Sequence, residues 1–174
     1  MVWIFGYGSL IWRPDFVFEE AAPARLEGWA RRLWQGSPDH RGIPDSPGRV
    51  VTLVRDVRAS VLGRAYRIEA ARRSDIFQDL DSRECAGYQL HTVPLLLGDD
   101  RSVDGLVYVA GPDNPNFLGP ASIDVMSQQI LASSGVSGRN LDYVLSLANS
   151  LAELGGCCED ELSRVVEALR ANRG

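Results

Sequence analysis

The chain has 174 residues, of which 45% are hydrophobic and 24% are charged. This composition is typical of a globular protein and excludes an intrinsically disordered one. The formal net charge is −5, so we expect no general electrostatic binding to nucleic acid. No stretch of the sequence approaches the roughly 18 consecutive apolar residues of a membrane helix, and we therefore expect no membrane association.

The basic and thiol residues narrow the chemistry further. All 18 basic residues are arginine, which excludes Schiff-base catalysis and a P-loop that depends on lysine. The three cysteines make no disulfide framework and favour a reducing, cytoplasmic compartment. The first charged residue, Arg13, follows the apolar start, an order that predicts no secretory signal.

Strands dominate the first two-thirds of the chain. Segments rich in β-branched and aromatic residues, bounded by Gly, Pro or Asp, predict strands over residues 3–5, 49–54, 61–68, 88–97 and 105–111. Residues 25–36 fit either a strand or a short helix, and we interpret them as a strand.

Most of the predicted helices lie after the strands, and one lies among them. Apolar residues at helical spacing predict a helix over residues 70–81, between two strands. Ser122 is placed to cap a second helix that Gly135 ends, and Asn140 to cap a third that Gly155 ends. A last amphipathic helix spans about 159–171.

This order of elements favours the α+β class with a largely antiparallel or mixed sheet. Regular βαβ alternation is missing, so a dinucleotide-binding fold is not supported. A small mixed β-barrel with surrounding helices fits best. No repeat or linker divides the chain, and we expect a single domain over residues 1–174.

Residues suited to metal or nucleophilic chemistry are few. His40 and His91 are the only histidines, and Cys85, Cys157 and Cys158 show no metal-ligand spacing. A Ser–His–Asp triad is possible by composition, but the GxSxG elbow that would present its serine is missing. We therefore expect no metal, and we interpret the histidines as structural.

The segment GYGSL, residues 6–10, is the first candidate site. Two glycines flank an aromatic residue directly after an apolar strand. Glycine permits positive φ and close backbone approach, so successive N–H groups can turn toward one point and bind an anion. An ordinary tight turn would produce the same pattern.

The second candidate is Glu84 in RECAGY, residues 83–88, where a predicted helix gives way to a strand. A carboxylate at a buried strand entry is costly unless it is paired, and desolvation raises the pKa of such a group. Glu84 is therefore a candidate general base. A salt bridge to a nearby arginine is the structural alternative.

Together these segments resemble the ChaC-type gamma-glutamylcyclotransferase family over nearly the whole chain. GYGSL recurs across the wider superfamily, whereas WQGSPDHRG followed by PGRVVTL is more specific to the ChaC branch. The motifs that carry the resemblance are WIFGYGSLIWRPDF at 3–16, GWARRLWQGSPDHRGIPDSPGRVVTL at 28–53, LDSRECAGY at 80–88, DNPNFLGPAS at 113–122 and SGRNLDYVLSLANSL at 137–151.

The resemblance implies the gamma-glutamylcyclotransferase-like fold and a cytosolic enzyme that releases 5-oxoproline and cysteinylglycine from glutathione without a cofactor. It places the catalytic carboxylate on Glu84 and a tyrosine near the site on Tyr143. Cys85 and Ala86 depart from the charged or polar residues that are commoner beside the catalytic position. The implied substrate-cradling loop is Ile4, Phe5, Gly6, Tyr7, Gly8, Ser9 and Leu10.

Two questions stay open in the sequence. Arg41 and Arg49 lie in family-like motifs, where they could bind substrate carboxylates or serve as structural pairs. The chain could also be a non-catalytic γ-glutamyl-binding or regulatory module, or a cyclotransferase for another γ-glutamyl peptide or amine. Neither the oligomeric state nor a role for Cys157 and Cys158 can be predicted.

Overall fold

The computed structural model describes residues 1–72, 74–76, 87–156 and 159–172. The chain forms two compact units. One consists of Met1–Ala30 and Leu53–Pro115, and the other of Arg31–Thr52 and Asn116–Gly174. The expectation of a single domain stays a prediction.

Five strands form a closed barrel, and in chain order they are β1 (Val2–Gly6), β2 (Glu20–Ser37), β3 (Gly48–Ile68), β4 (Gln89–Leu97) and β5 (Ser102–Val109). Their order around the barrel is β1–β3–β2–β4–β5. β1 pairs antiparallel with β3 and parallel with β5, and β4 pairs antiparallel with both β2 and β5. The predicted mixed barrel is confirmed.

Alternating burial explains why these segments form a barrel. On β4, Val93, Leu95 and Leu97 are buried while Pro94 and Leu96 are exposed. Side chains point to opposite faces of a strand at successive residues, so one face supplies the barrel interior. The interpretation of residues 25–36 as a strand is also confirmed, since they lie within β2.

The prediction of separate strands over 49–54 and 61–68 is wrong, because β3 runs unbroken through residues 55–60. That connecting part is polar and largely exposed, which suggested a loop. It contains neither glycine nor proline, so nothing in its backbone interrupts the strand. β5 likewise begins three residues before the predicted start, at Ser102.

The helices of the second unit are α1 (Ile123–Ala132), α2 (Asn140–Glu153) and α3 (Asp160–Ala171), with a two-stranded hairpin of β6 (Ser134–Gly135) and β7 (Gly138–Arg139) between α1 and α2. Ser122 caps α1 as predicted, since its hydroxyl accepts the N–H of Val125 at 3.3 Å. Because Leu162, Val165, Val166 and Leu169 are buried, the apolar face predicted for the last helix is confirmed.

Two predicted helix boundaries are wrong. α1 ends at Ala132 rather than near Gly135, because the backbone becomes extended at Ser133. Gly135 instead lies in β6, where an added Cβ would come within 2.2 Å of the Asp39 carbonyl oxygen. Asn140 does not cap α2: its side chain accepts the N–H of Arg49 and donates to the Arg49 carbonyl, both at 2.7 Å.

Carboxylates near the start of α3 fix this helix to the part of β2 in the same unit. The fully buried guanidinium of Arg31 lies 2.7 Å from the carboxylate of Glu159. Glu161 accepts the N–H of Leu33 at 2.8 Å and the indole N–H of Trp34 at 2.9 Å. These charge-assisted hydrogen bonds set the position of the helix end.

The predicted helix over residues 70–81 is described only in part. Ala70–Arg72 form a 3₁₀ turn and residues 74–76 are helical, whereas residues 77–81 lie outside the described residues. Within the described ranges, every helix is too short or too polar to cross a bilayer.

Candidate functional site

The loop after β1 is a compact turn held by its own backbone. Ser9–Ile11 form one 3₁₀ turn, in which the N–H of Ile11 donates to the Gly8 carbonyl at 3.0 Å. The Ser9 carbonyl accepts the N–H groups of Trp12 and Arg13 at 3.2 and 2.8 Å. The predicted turn at GYGSL is therefore present.

Close approach, rather than positive φ, explains Gly6 in this loop. Neither Gly6 nor Gly8 has a positive φ. A Cβ on Gly6 would lie 2.7 Å from the Cβ of Leu10, a separation that real side chains do not adopt. Gly63 on β3 is packed more tightly still, since its Cβ would lie 2.4 Å from the Gly6 carbonyl oxygen and 2.7 Å from the ring of Phe5. Both contacts bring the loop down onto the barrel.

The seven predicted loop residues divide into a buried and a half-exposed group. Ile4, Phe5, Gly6 and Tyr7 are buried, whereas Gly8, Ser9 and Leu10 are partly accessible. The Tyr7 hydroxyl donates to the carbonyl of Tyr108 on β5 at 2.8 Å. Among the described residues, the N–H groups of Ser9 and Leu10 have no protein acceptor. Within the turn Ser9–Ile11, these two donors are the backbone N–H groups that are left for a ligand.

A hydrophobic cluster in the first unit joins this loop to the residues that flank 77–86. Ile76 and Tyr88 belong to the same cluster as Ile4 and Tyr108, against which Leu10 also packs. The chain therefore enters and leaves the segment beside the GYGSL loop. Glu84, the predicted catalytic residue, and Cys85 lie outside the described residues.

The return into β4 needs a glycine. Gly87 has a φ of +84°, in the left-handed region that side chains with a Cβ rarely adopt. Its Cβ would also lie 3.2 Å from the Nδ2 of the buried Asn114. This glycine is the G of RECAGY, and its conformation gives the motif a local structural reason.

Tyr143, the predicted site residue in the second unit, is buried on α2. Its hydroxyl accepts the N–H of Val51 at 3.2 Å, and the guanidinium of Arg41 lies 5.6 Å from the centre of its ring. Arg41 also donates to the Arg139 carbonyl at 3.2 Å. A cation over an aromatic face is stabilised by the ring quadrupole.

Arg49 is a structural arginine. It is 5% exposed, and its side chain donates to the carbonyls of Leu33 and Gly119 and to the Gln129 side chain at 2.7 to 3.1 Å. Desolvation lowers the pKa of the Arg49 guanidinium, an effect that the charge of Glu161 opposes. The alternative of structural pairing therefore describes this residue.

Both histidines contact other side chains. His40 Nδ1 lies 2.8 Å from the hydroxyl of Ser137, and His91 meets the ring of Trp29 edge-on with centroids 5.8 Å apart. Within the described part of the chain, no three His, Cys, Asp or Glu side chains are grouped as metal ligands would be. The expectation that no metal is needed stays a prediction.

Sequence reasoning missed Tyr66 and Gly63, which hold the loop from β3. The buried Tyr66 pairs in register with Ile4, and its hydroxyl donates to the carbonyls of Leu10 and Ile11 at 2.6 and 3.1 Å. From their sequence context, LGRAYRI, only a strand was predicted. The available signal was a tyrosine inside a predicted strand, because a hydroxyl that becomes buried there needs a hydrogen-bond partner.

We expect Gly63→Ala to destabilise the protein by about 1–3 kcal/mol, because the new methyl group must displace the Gly6 carbonyl or the Phe5 ring. Thermal unfolding measures the loss. Gly111→Ala is the matched control, since nothing lies within 4 Å of its Cβ. Equal unfolding temperatures for the two variants would contradict the tight packing under the loop.

The chain is similar to known proteins over nearly its full length. The sequence model described as "ChaC-like protein" matches residues 2–172. "Glutathione-specific gamma-glutamylcyclotransferase 1" of Homo sapiens is 42% identical over 173 residues, covering 97% of this chain and 78% of the relative. "Glutathione-specific gamma-glutamylcyclotransferase" of Schizosaccharomyces pombe is 35% identical over 170 residues, covering 88% and 84%.

A solved structure gives the same answer for the fold. The crystal structure of the gamma-glutamylcyclotransferase specific to glutathione from yeast matches with a TM-score of 0.90 and 28% identity, covering 98% of this chain and 96% of that one. The fold class predicted from the sequence is therefore confirmed as the gamma-glutamylcyclotransferase fold. With a family match from residue 2 to residue 172, the chain belongs to the ChaC-like family.

Proposed function

We propose that this protein is a glutathione-specific gamma-glutamylcyclotransferase, which converts glutathione to 5-oxoproline and cysteinylglycine. The observation that carries the proposal is the match, across 97% of the chain, to a relative of that name. The GYGSL loop with its two accessible N–H donors supports it independently.

The reaction is an intramolecular transfer of an acyl group. The α-amine of the γ-glutamyl group attacks its own γ-carbonyl carbon, forming the C–N bond of a five-membered lactam. The amide bond to cysteine then breaks, and the departing amine takes up a proton. The substrate supplies its own nucleophile, so water does not enter the products. The protein must remove a proton from the ammonium, hold the chain in a curled conformation and stabilise the oxyanion.

Glu84 is proposed as the general base and acid. A free glutamate carboxyl has a pKa of about 4.3 and a free α-amino group one of about 8, so an unperturbed glutamate is a poor base for this ammonium. Desolvation raises the pKa of a carboxyl and brings it nearer the working pH. Once protonated, the same carboxyl can give its proton to the amine of cysteinylglycine. The packing of Ile76 and Tyr88 beside the loop supports this assignment.

The loop of residues 4–10 is proposed to bind the γ-glutamyl end. The N–H groups of Ser9 and Leu10 can hold either the developing oxyanion or the substrate α-carboxylate. Removing one oxyanion donor typically raises a barrier by about 3 kcal/mol. Curling the substrate over its own carbonyl contributes several kcal/mol more through proximity, by analogy with intramolecular reactions.

Tyr143 is proposed to line the substrate site. The molecule that the protein binds is proposed to be a small one, glutathione. The hydroxyl of Tyr143 accepts the N–H of Val51 at 3.2 Å, a hydrogen bond that helps to hold the side chain in place. We further propose that the protein acts in the cytoplasm, where glutathione is the abundant reduced thiol, and that it uses no cofactor.

Parallel incubations test the proposed function. Purified protein is mixed with glutathione, with a γ-glutamyl dipeptide or with a γ-glutamyl amine, and 5-oxoproline is measured by mass spectrometry. We expect fast release from glutathione and slow release from the other compounds. Faster release from another compound would change the substrate. Binding of glutathione without any release would favour a non-catalytic γ-glutamyl-binding module.

A further inference from the structure

The carbonyl groups of the loop turn are all engaged. Those of Gly8 and Ser9 accept N–H groups within the turn, and those of Leu10 and Ile11 accept the single hydroxyl proton of Tyr66. The carbonyl groups of the turn are therefore occupied by protein donors, and the N–H groups of Ser9 and Leu10 are the backbone groups of the turn that are left for a ligand.

Two chains of peptide hydrogen bonds connect Tyr66 to those N–H groups. In one, the hydroxyl donates to the Leu10 carbonyl at 2.6 Å, and the N–H of the same peptide unit, that of Ile11, donates to the Gly8 carbonyl at 3.0 Å. The Gly8 carbonyl and the N–H of Ser9 belong to the same peptide unit, so this chain ends at the N–H of Ser9. A planar, trans peptide fixes the N–H direction once its carbonyl is fixed.

The second chain has the same construction. The hydroxyl of Tyr66 donates to the Ile11 carbonyl at 3.1 Å, and the N–H of Trp12 donates to the Ser9 carbonyl at 3.2 Å. The Ser9 carbonyl and the N–H of Leu10 belong to the same peptide unit, so the second chain ends at the N–H of Leu10. Hydrogen bonds in series polarise one another, so a donor at one end strengthens the N–H group at the other.

The surroundings of Tyr66 keep its hydroxyl protonated and in place. Burial raises the pKa of Tyr66, with the nearby Arg64 opposing the shift, so the group stays a donor at neutral pH. Its ring packs edge-on against Phe16, with ring centroids 5.4 Å apart, and at a 55° tilt against Phe18, with centroids 5.0 Å apart. The two carbonyl acceptors fix the direction of the O–H bond, whereas the aromatic contacts contribute to the packing of the ring.

We propose that Tyr66 is a positioning residue that, through these two chains, orients and polarises the N–H groups of Ser9 and Leu10 for the substrate. The inference rests on the proposed function of the loop. It adds a residue outside the loop to the machinery and explains why a tyrosine, rather than another apolar residue, stands at this place in β3. Tyr66 touches no reacting atom.

Tyr66→Phe tests the proposal, because it removes the hydroxyl and keeps the ring. Losing one direct oxyanion donor typically costs 100-fold to 1,000-fold in kcat. Here both donors remain but lose their support, so we expect kcat for 5-oxoproline release to fall about 10-fold to 100-fold, with KM changed by less than about twofold. The control is Phe18→Leu, which loosens the packing of the ring and leaves the hydroxyl. We expect it to lower the unfolding temperature and to leave kcat unchanged.

A measurement that needs no turnover accompanies the kinetics. In Tyr66→Phe, the amide proton resonances of Ser9 and Leu10 should move upfield in a ¹H–¹⁵N spectrum, and in Phe18→Leu they should not. Unmoved resonances, or a kcat that falls equally in both variants, would overturn the proposal. A wild-type protein that releases no 5-oxoproline would overturn the proposed function and the catalytic effect of Tyr66 together. The amide shifts would still show whether the hydrogen-bond chains polarise the N–H groups of Ser9 and Leu10.

Discussion

Glu84→Gln is expected to lower the rate of 5-oxoproline release from glutathione by about 100-fold or more. Glutamine preserves the size and hydrogen-bonding shape of the side chain but cannot accept the proton of the substrate ammonium. Binding of glutathione should be retained, because the substitution leaves the N–H donors of the loop of residues 4–10 unchanged. Initial rates of product formation, with calorimetric titration of glutathione, separate the two effects.

The matched control for this substitution is Glu27→Gln, which changes the same side chain at an exposed position of β2 in the first unit. It should retain the wild-type rate. If Glu84→Gln also retained that rate, another group would have to act as the base. If it lost binding and rate together, Glu84 would be holding the substrate rather than moving its proton.

Arg49→Met is expected to destabilise the folded protein by about 3–5 kcal/mol. The substitution leaves the buried carbonyls of Leu33 and Gly119 and the Gln129 side chain without their donor. It also removes the positive charge that interacts with Glu161. For a chain of this length the loss corresponds to a fall in the unfolding temperature of about 10 °C, measured by calorimetry.

An exposed arginine of the same unit provides the comparison. Arg139 forms an ion pair with Asp142 at 3.1 Å, and both side chains are more than half exposed. Exposed pairs contribute little, so Arg139→Met should shift the unfolding temperature by no more than about 2–3 °C. An equally small shift in Arg49→Met would show that the buried carbonyls find other donors.

The strands of the barrel could be predicted from composition, because β-branched and aromatic residues fill them and Gly, Pro or Asp bound them. The buried face of β4 could not be predicted in the same way, since the exposed Leu96 stands between the buried Leu95 and Leu97. The continuity of β3 through residues 55–60 could not be predicted either, because that stretch is polar. β1 pairs with β3 only at residues 64–68, so β2, the other neighbour of β3 in the barrel, is the strand available to pair with residues 55–60.

The loop could be located from the sequence, but its internal geometry could not. Two glycines after an apolar strand predicted close approach, and Gly6 against Leu10 is such an approach. The support from Tyr66 and Gly63 comes from residues more than 50 positions away, and only the register of β1 with β3 brings them under the loop.

Side-chain roles at longer range were the hardest to predict. The position of Asn140 predicts a helix cap, yet its side-chain amide forms hydrogen bonds with the backbone of Arg49, 91 residues away. Arg49 itself lies in a motif with candidate ligand residues, and three acceptors from separate segments occupy its guanidinium. Such pairings depend on tertiary contacts that no local pattern contains.

Incubation with glutathione in water enriched in ¹⁸O tests the proposed reaction most directly. An attack by the α-amine of the substrate on its own carbonyl predicts 5-oxoproline without ¹⁸O, released in equal amount with cysteinylglycine. Glutamate carrying ¹⁸O as the first product, or labelled 5-oxoproline, would mean that water cleaves the γ-glutamyl bond and would contradict the proposal.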